Sequence, residues 1–271
     1  MNIVVCVKFV PDAQSERGFE PGDHTTDRFG VPGRLSELDE YAVEAALTLA
    51  TAGDDAPTGE PAGRVTVMTV GPPAAAEAIK KALQMGADAG VHVTDEAIAG
   101  SDAAATSLVL AAAIRRIGEA APVDLVLTGM ASTDAVMSVV PAMLAERLDL
   151  PQLTLASQLS IEGGTASIRR DGDLASQTVT AALPALVSVT DQINEPRYPS
   201  FKGIMGAKKK PVQTWGIAEL GLRADQVGLA ASATVVESIT PRPPRQAGQV
   251  VKDDGDGGRQ LADFLRSRKF V

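Results

Sequence analysis

The sequence predicts an α/β protein: a mostly parallel sheet with helices on both faces, an antiparallel margin and an extended C-terminal arm. Three observations carry that expectation. Short β-branched runs alternate with helical stretches of roughly ten to eighteen residues through the first half of the chain, the pattern of right-handed βαβ crossovers. The hydrophobic fraction is 45% but only six Phe, two Tyr and one Trp occur in 271 residues, so aliphatic side chains must fill the core. From Gln158 the rhythm changes to short strands separated by glycines and polar turns.

Asn2 to Lys8 (NIVVCVK) is a β-branched run, too short for a helix and suited to a strand covered on both faces. Pro11 to Arg34 is polar and punctuated by Gly and Pro, a long connection whose HTTDR core could pair as a small hairpin. Ser36 stands ahead of Asp39 and Glu40 in a capping-box-like pattern, and Ala42, Val43, Ala46, Leu47 and Ala50 follow at helical spacing. After a Gly/Pro/Asp linker, Gly53 to Gly63, RVTVMTVG reads as a strand and PPAAAEAIKKALQMGAD as a helix closed by Gly86. GVHVTDE, SDAAATSLVLAAAIRRIGEA, APVDLVLTGM and STDAVMSVVPAMLAERLDL continue as strand, helix, strand, helix. QLSIEGGTASIRRDGD then reads as two strands around Gly163 and Gly164, with QTVTAAL and PALVSVT as further strands. Asn194 to Lys210 and Thr240 to Gly258 lack convincing periodicity, and only Arg259 to Arg268 again suggests a helix. The layout is a domain over residues 1–190, a loop and following segment over 191–232, and an arm over 233–271.

At about 150 residues per domain, the length allows one large domain or two small ones. The balance of 25 basic against 34 acidic residues, −9, opposes binding to nucleic-acid backbones and to anionic membrane surfaces. The single Cys6 excludes an intrachain disulfide, and the N-terminus lacks the features of a secretory signal, so the chain reads as cytoplasmic. No apolar run approaches the roughly 18 residues of a membrane span. With one Cys and two His (His24, His92), no Cys/His zinc cluster is expected, and a Ser-His-Asp triad has only two candidate bases.

In open α/β sheets ligands gather beyond the carboxyl ends of the strands, where βα loops present unpaired amides. Three tight loops qualify: Lys8 to Asp12, Val70 to Pro72 and Gly129 to Ser138. The last offers either a cradle for a phosphate or ribose, or an ordinary helix cap from Ser132, Thr133 or Asp134. Neither a Walker A nor a G-x-G-x-x-G pattern occurs. Lys8 could meet an anionic ligand or be a surface charge, His92 reads as a hydrogen-bonded core residue, and Cys6 as a small buried hydrophobe. In NEPRYPSFKGIMGAKKK, Tyr198 and Phe201 stand among prolines and glycines, either as a docking surface or folded back on the domain. Lys208, Lys209 and Lys210 read as a solvated run. Val235, Val236, Ile239, Val250, Val251, Leu261, Phe264 and Leu265 are too many apolar groups for a free tail, so the arm is expected to lie along another surface.

The stretches VCVKFVPD, DEYAVEAAL, VGPPAAAEAIKKALQMGAD, VDLVLTG, IEGG, LPALVSV and INEPRYPSFKGIMGAKKK run nearly end to end through the chain, and with them it resembles the beta subunits of electron transfer flavoproteins. The resemblance implies a Rossmann-like (adenine nucleotide alpha hydrolase-like) domain, paired as a heterodimer with an alpha subunit that holds most of the FAD. It implies electron shuttling from acyl-CoA and related dehydrogenases to a quinone oxidoreductase or other acceptor, with no chemistry of bond making by this chain. A stand-alone adenine-nucleotide binder of the stress-protein type is the alternative, as is a purely structural subunit of a larger flavoenzyme.

By position, the resemblance implies AMP contacts at Cys6, at Ser36, Glu37, Leu38 and Asp39, at Val70, and along Gly129, Asp134, Met137, Ser138, Val139 and Val140. The chain departs from the family's D-G-x-x-x-Q-x-G or D-D-x-N-Q-T-G loops here: Asp134 is followed by Ala135, Val136, Met137, Ser138, Val139, Val140 and Pro141. Most side-chain phosphate ligands are missing, which leaves AMP an open question and a second FAD of the bifurcation type unexpected. The partner-recognition loop implied by the resemblance spans Pro196, Arg197, Tyr198, Pro199, Ser200, Phe201, Lys202, Gly203, Ile204 and Met205, with Phe201 as the apolar anchor entering a dehydrogenase pocket. Asp171 falls where relatives carry an acidic residue that pairs with an arginine of the alpha subunit. The turn from Lys8 to Ala13 is expected to border the isoalloxazine.

Overall fold

The computed structural model describes residues 1–51, 63–244, 248 and 250–271, so the linker expected from Gly53 to Gly63 lies almost wholly outside the described residues, as do four positions within Thr240 to Gly258. The strands are β1 (Asn2–Cys6), β2 (Phe9–Pro11), β3 (Gly33–Leu35), β4 (Arg64–Val70), β5 (Ala89–Val93), β6 (Leu125–Gly129), β7 (Gln152–Glu162), β8 (Thr165–Asp171), β9 (Ser176–Ala182), β10 (Ala185–Val189) and β11 (Val212–Trp215). The helices are α1 (Glu37–Thr51), α2 (Ala76–Met85), α3 (Ala103–Ala120), α4 (Val140–Leu148), α5 (Phe201–Ala207), α6 (Gly228–Ala231) and α7 (Gly257–Ser267).

Among the described residues, nine strands form one sheet in the order β11-β5-β4-β1-β6-β10-β7-β8-β9. Pairing is parallel from β11 to β7 and antiparallel from β7 to β9. This is the predicted α/β class with its antiparallel margin. The period of two along each strand sends alternate residues to opposite faces. Ile3, Val5, Leu125, Leu127 and Val187 meet Ala42, Val43, Ala46, Ile79 and Leu83 of α1 and α2 on one face. Val4, Met68, Val126 and Leu186 meet Val109, Ala113, Ile114 and Leu144 of α3 and α4 on the other. Each fully buried Leu, Ile, Val or Met contributes about 1.5–3 kcal/mol of transfer free energy, so the sheet is held from both sides without large aromatics.

The turn between β7 and β8 uses Gly163 (φ +56°) and Gly164 (φ +76°), left-handed at both central positions as a tight hairpin with right-handed strand twist requires. Several elements escape the periodicity of the sequence. β2 and β3 pair antiparallel and close the long 12–32 connection at its base. β11 follows Pro211 and adds parallel to β5 at the sheet edge, with Arg116 stacked 5.1 Å from the Trp215 ring centroid. α5 is a seven-residue helix containing two glycines.

Two compact units are distinguished, Met1–Glu237 and Ser238–Val271. The second comprises extended chain and α7, on which Leu261 and Phe264 are exposed. No helix among the described residues is long and apolar enough to cross a membrane.

Candidate functional site

The carboxyl ends of β1 and β6 converge on the first turn of α1. The Lys8 amide donates to Asp39 Oδ2 (2.8 Å), and the Gly129 amide donates to the same carboxylate. A Cβ on Gly129 would stand 2.6 Å from Asp39 Oδ1 and 2.8 Å from the Leu38 carbonyl, so glycine is what lets β6 approach α1. Burial raises the Asp39 carboxyl to about 7 against the Lys8 charge and the two amides, which favour its ionised form. The capping box expected from Ser36 does not form in that way. Asp39 turns to Lys8 and Gly129, and the Ser36 hydroxyl is fully buried with no hydrogen-bond partner.

Beyond Gly129 the chain does not enter a helix at Ser132, as the pattern of STDAVMSVV suggests. Val136 (φ +51°) and Ser138 (φ +56°) take left-handed conformations, and α4 starts only at Val140 behind Val139, without a side-chain cap. Capping by Ser132, Thr133 or Asp134 is therefore corrected: these residues serve another purpose. The Lys8 ammonium donates to Asp134 Oδ1 (2.9 Å) and Ser132 Oγ (3.3 Å), and Arg28 Nη1 donates to Asp134 Oδ2 (3.1 Å). Arg17 Nη1 reaches the Thr133 carbonyl (2.8 Å). Burial alone would raise the Asp134 carboxyl, but Lys8, Ser132 and Arg28 hold it far below the usual carboxylate range. Burial pulls Lys8 down from the ordinary lysine value, against the attraction of Asp134.

Cys6 lies in register between Met68 and Thr128, and burial with the nearby Asp39 charge pushes its thiol up to about 12, which removes it as a nucleophile. His92 is buried with Nε2 3.2 Å from the Gly71 carbonyl, the core role expected of it. Arg17 and Arg28 are the residues missed by sequence reasoning. Their only signal is that the long polar connection carries arginines above strands that end in Lys8 and Gly129.

An adenylate makes specific demands on this cluster. Lys8 and Arg28 both bond to Asp134, Arg17 bonds to the Thr133 carbonyl, and Ser36 and Asp39 are buried within the chain. Loop positions 135 to 140 offer one hydroxyl, that of Ser138, while Val136 is 66% and Met137 52% exposed. The side chains present do not fit a bound phosphate.

The segment before α5 is fixed from below. Arg197 Nε and Nη2 donate to Glu44 Oε2 (2.7 Å) and Oε1 (2.8 Å), and Asn194 Nδ2 donates to the Tyr41 carbonyl (3.0 Å). Ser200 Oγ accepts from the Gly203 amide (3.0 Å) and so caps α5. A Cβ on Gly203 would stand 2.5 Å from the Gln84 carbonyl, so α5 rests directly on the end of α2. Lys210 is not a solvated charge: its ammonium donates to the Leu83 (3.0 Å) and Gly86 (2.9 Å) carbonyls at that same helix end. On this mount Tyr198 is 91% and Phe201 81% exposed, beside half-buried Pro199 and exposed Lys202, Ile204 and Met205. The rings are not folded back on the domain. Asp171, at the end of β8, accepts from Arg169 Nε (2.8 Å) and from the Ser157 and Ser176 hydroxyls, which hold its carboxyl down to about 2.

Cavities among the described residues lie elsewhere. One of about 170 Å³ is lined by Ile114, Val126 and Leu148, and one of about 250 Å³ by Leu159, Ser167 and Arg169.

The site thus combines a doubly covered parallel sheet, an inward-bonded strand-end cluster and an outward aromatic loop held from below. The family model described as electron transfer flavoprotein domain matches residues 24–220. The electron transfer flavoprotein subunit beta of Mycobacterium bovis is 47% identical over 270 residues, spanning 100% of this chain and 99% of the relative. The caffeyl-CoA reductase-Etf complex subunit CarD of Acetobacterium woodii is 37% identical over 252 residues (93% and 92% of the two chains). The subunit beta of Megasphaera elsdenii is 32% identical over 271 residues (99% and 97%). The chain belongs to the electron transfer flavoprotein beta-subunit family, whose work is electron transfer.

Proposed function

We propose that this chain is one half of a heterodimeric carrier that accepts electrons from acyl-CoA and related dehydrogenases and delivers them to a quinone oxidoreductase or other acceptor. FAD, held mostly by an alpha companion, supplies the redox chemistry when bound. This chain supplies orientation and grip. The turn from Lys8 to Ala13 borders the flavin, with Lys8 fixed by Asp134 and Ser132 and the turn closed by the β2–β3 pair. The arm, with exposed Val250, Leu261 and Phe264, embraces the companion. Asp171 uses three of a carboxylate's roughly four acceptor positions within its own hairpins, and the remaining one is available to an arginine of the companion.

One observation carries the docking half of this reading. Phe201 is exposed on a helix that is pinned at Glu44, at Gln84 and at the end of α2, so little order must be created when a partner closes over it. A single apolar anchor among polar residues suits a complex that must dissociate at every turnover. Replacing Phe201 by Ala in the heterodimer is expected to lower the rate of electron transfer from an acyl-CoA dehydrogenase, at subsaturating carrier, by about tenfold or more, with the flavin spectrum unchanged. An unchanged rate removes Phe201 from the role.

A further inference from the structure

The charged side chains of the strand-end cluster are bonded inside the chain. The Asp134 side chain is 1% exposed and bonds both to the Lys8 ammonium (2.9 Å) and to the Arg28 guanidinium (3.1 Å). Arg17 ties the neighbouring Thr133 carbonyl, and the Lys8 amide ties Asp39 below. Lys8 and Arg28 therefore share one carboxylate, that of Asp134, while Asp39 is held by backbone amides. A phosphate added here would have to displace Asp134 from both cations or stand beside its carboxylate, and like charges at short range repel. The side chains that point outward from the same loop, Val136, Met137 and Val139, are apolar and exposed. The Ser36 hydroxyl is enclosed by the chain, out of reach of an entering ligand.

We propose that the strand-end cations take their anion from within the chain, Asp134, so that this subunit folds and pairs without the structural adenine nucleotide its family resemblance implies. The inference rests on family membership and on the ion-pair geometry. Nucleotide content and thermal stability can be read whether or not a dehydrogenase donates electrons, so a failure here is separable from a failure of the carrier reading.

The test uses the full chain purified with its alpha companion. Small molecules released on denaturation are quantified by mass spectrometry, and melting is followed with and without AMP or inorganic phosphate at about 1 mM. The expected result is less than about 0.1 equivalent of AMP and no rise in the wild-type melting temperature with either anion. Asp134→Asn, which leaves Lys8 and Arg28 without their counter-anion, is expected to melt lower and to recover part of the loss when inorganic phosphate is added. About one equivalent of AMP, a clear rise in the wild-type melting temperature with AMP, or an Asp134→Asn protein indifferent to phosphate would each overturn the proposal. The nucleotide count on the wild-type protein decides the matter even if the variant does not fold.

Discussion

Arg197 and Glu44 meet fork on fork, two side-chain nitrogens on two carboxylate oxygens at 2.7 and 2.8 Å, with the Arg197 amide adding a third bond at 3.1 Å. Glu44 stands on α1, the helix whose first turn carries Asp39, so one helix mounts both the strand-end cluster and the aromatic loop. Glu44→Ala leaves the guanidinium and an amide without their acceptor. The expected cost is about 1–3 kcal/mol by urea denaturation, with faster amide exchange at residues 196–200. Arg197→Lys should recover only part of it, since an ammonium cannot reproduce the fork.

Gly203 is the second fixed point of that loop. A methyl group there meets the Gln84 carbonyl at 2.5 Å, backbone against backbone, with no flexible side chain to give way. Gly203→Ala is expected to destabilise by about 1–3 kcal/mol despite alanine's better helix propensity. Equal or greater stability by thermal melting would show that α5 sits free of α2.

Asp102 joins two tasks in one carboxylate. Oδ1 accepts from the Ala105 amide and caps α3, while Oδ2 accepts from the Ala233 and Thr234 amides and the Thr234 hydroxyl. Asp102→Ala should cost about 0.5–2 kcal/mol through the lost cap. It should also bring earlier proteolytic cleavage near residue 233, which an ordinary cap mutation elsewhere on the surface would not.

The strand–helix alternation was legible because β-branched runs and Ala-rich amphipathic stretches each obey one period, and a buried parallel sheet leaves little alternative for either. The elements that escaped are those set by tertiary contact. β11 is an edge strand of four residues with polar Gln213 and Thr214, stabilised by pairing with β5. α5 contains Gly203 and Gly206, poor helix formers retained where the helix must touch α2. The 130–139 loop imitates a helix start because Ser, Thr and Asp are good caps, yet Asp134 bonds to Lys8 and Arg28 from distant segments. The aromatic loop could be found from composition alone, but its outward pose depends on Glu44 and Gln84, which no local pattern marks.

The raised Asp39 carboxyl predicts a sign for the pH dependence of stability. Its folded-state value, about 7, lies above the ordinary carboxylate value, so between about pH 4 and 7 the native state binds a proton that the unfolded chain has released. The Asp39 contribution is therefore present at the acid end of that window and is lost as pH rises through 7. Asp171, held down to about 2, acts oppositely, with stability present above about pH 4 and lost toward pH 2. Asp39→Asn should abolish the decline between about pH 4 and 7 in urea-denaturation profiles. A variant that keeps the wild-type slope would exclude Asp39 as its source.

The proposed carrier role requires that this chain gain its redox function only in company. The direct measurement is the visible spectrum of the full chain purified alone and purified after coexpression with its alpha companion. Flavin absorbance is expected in the co-purified heterodimer and none in the chain alone. A chain that is coloured or turns over a substrate by itself, or one that fails to pair with the flavin-bearing companion, would contradict it.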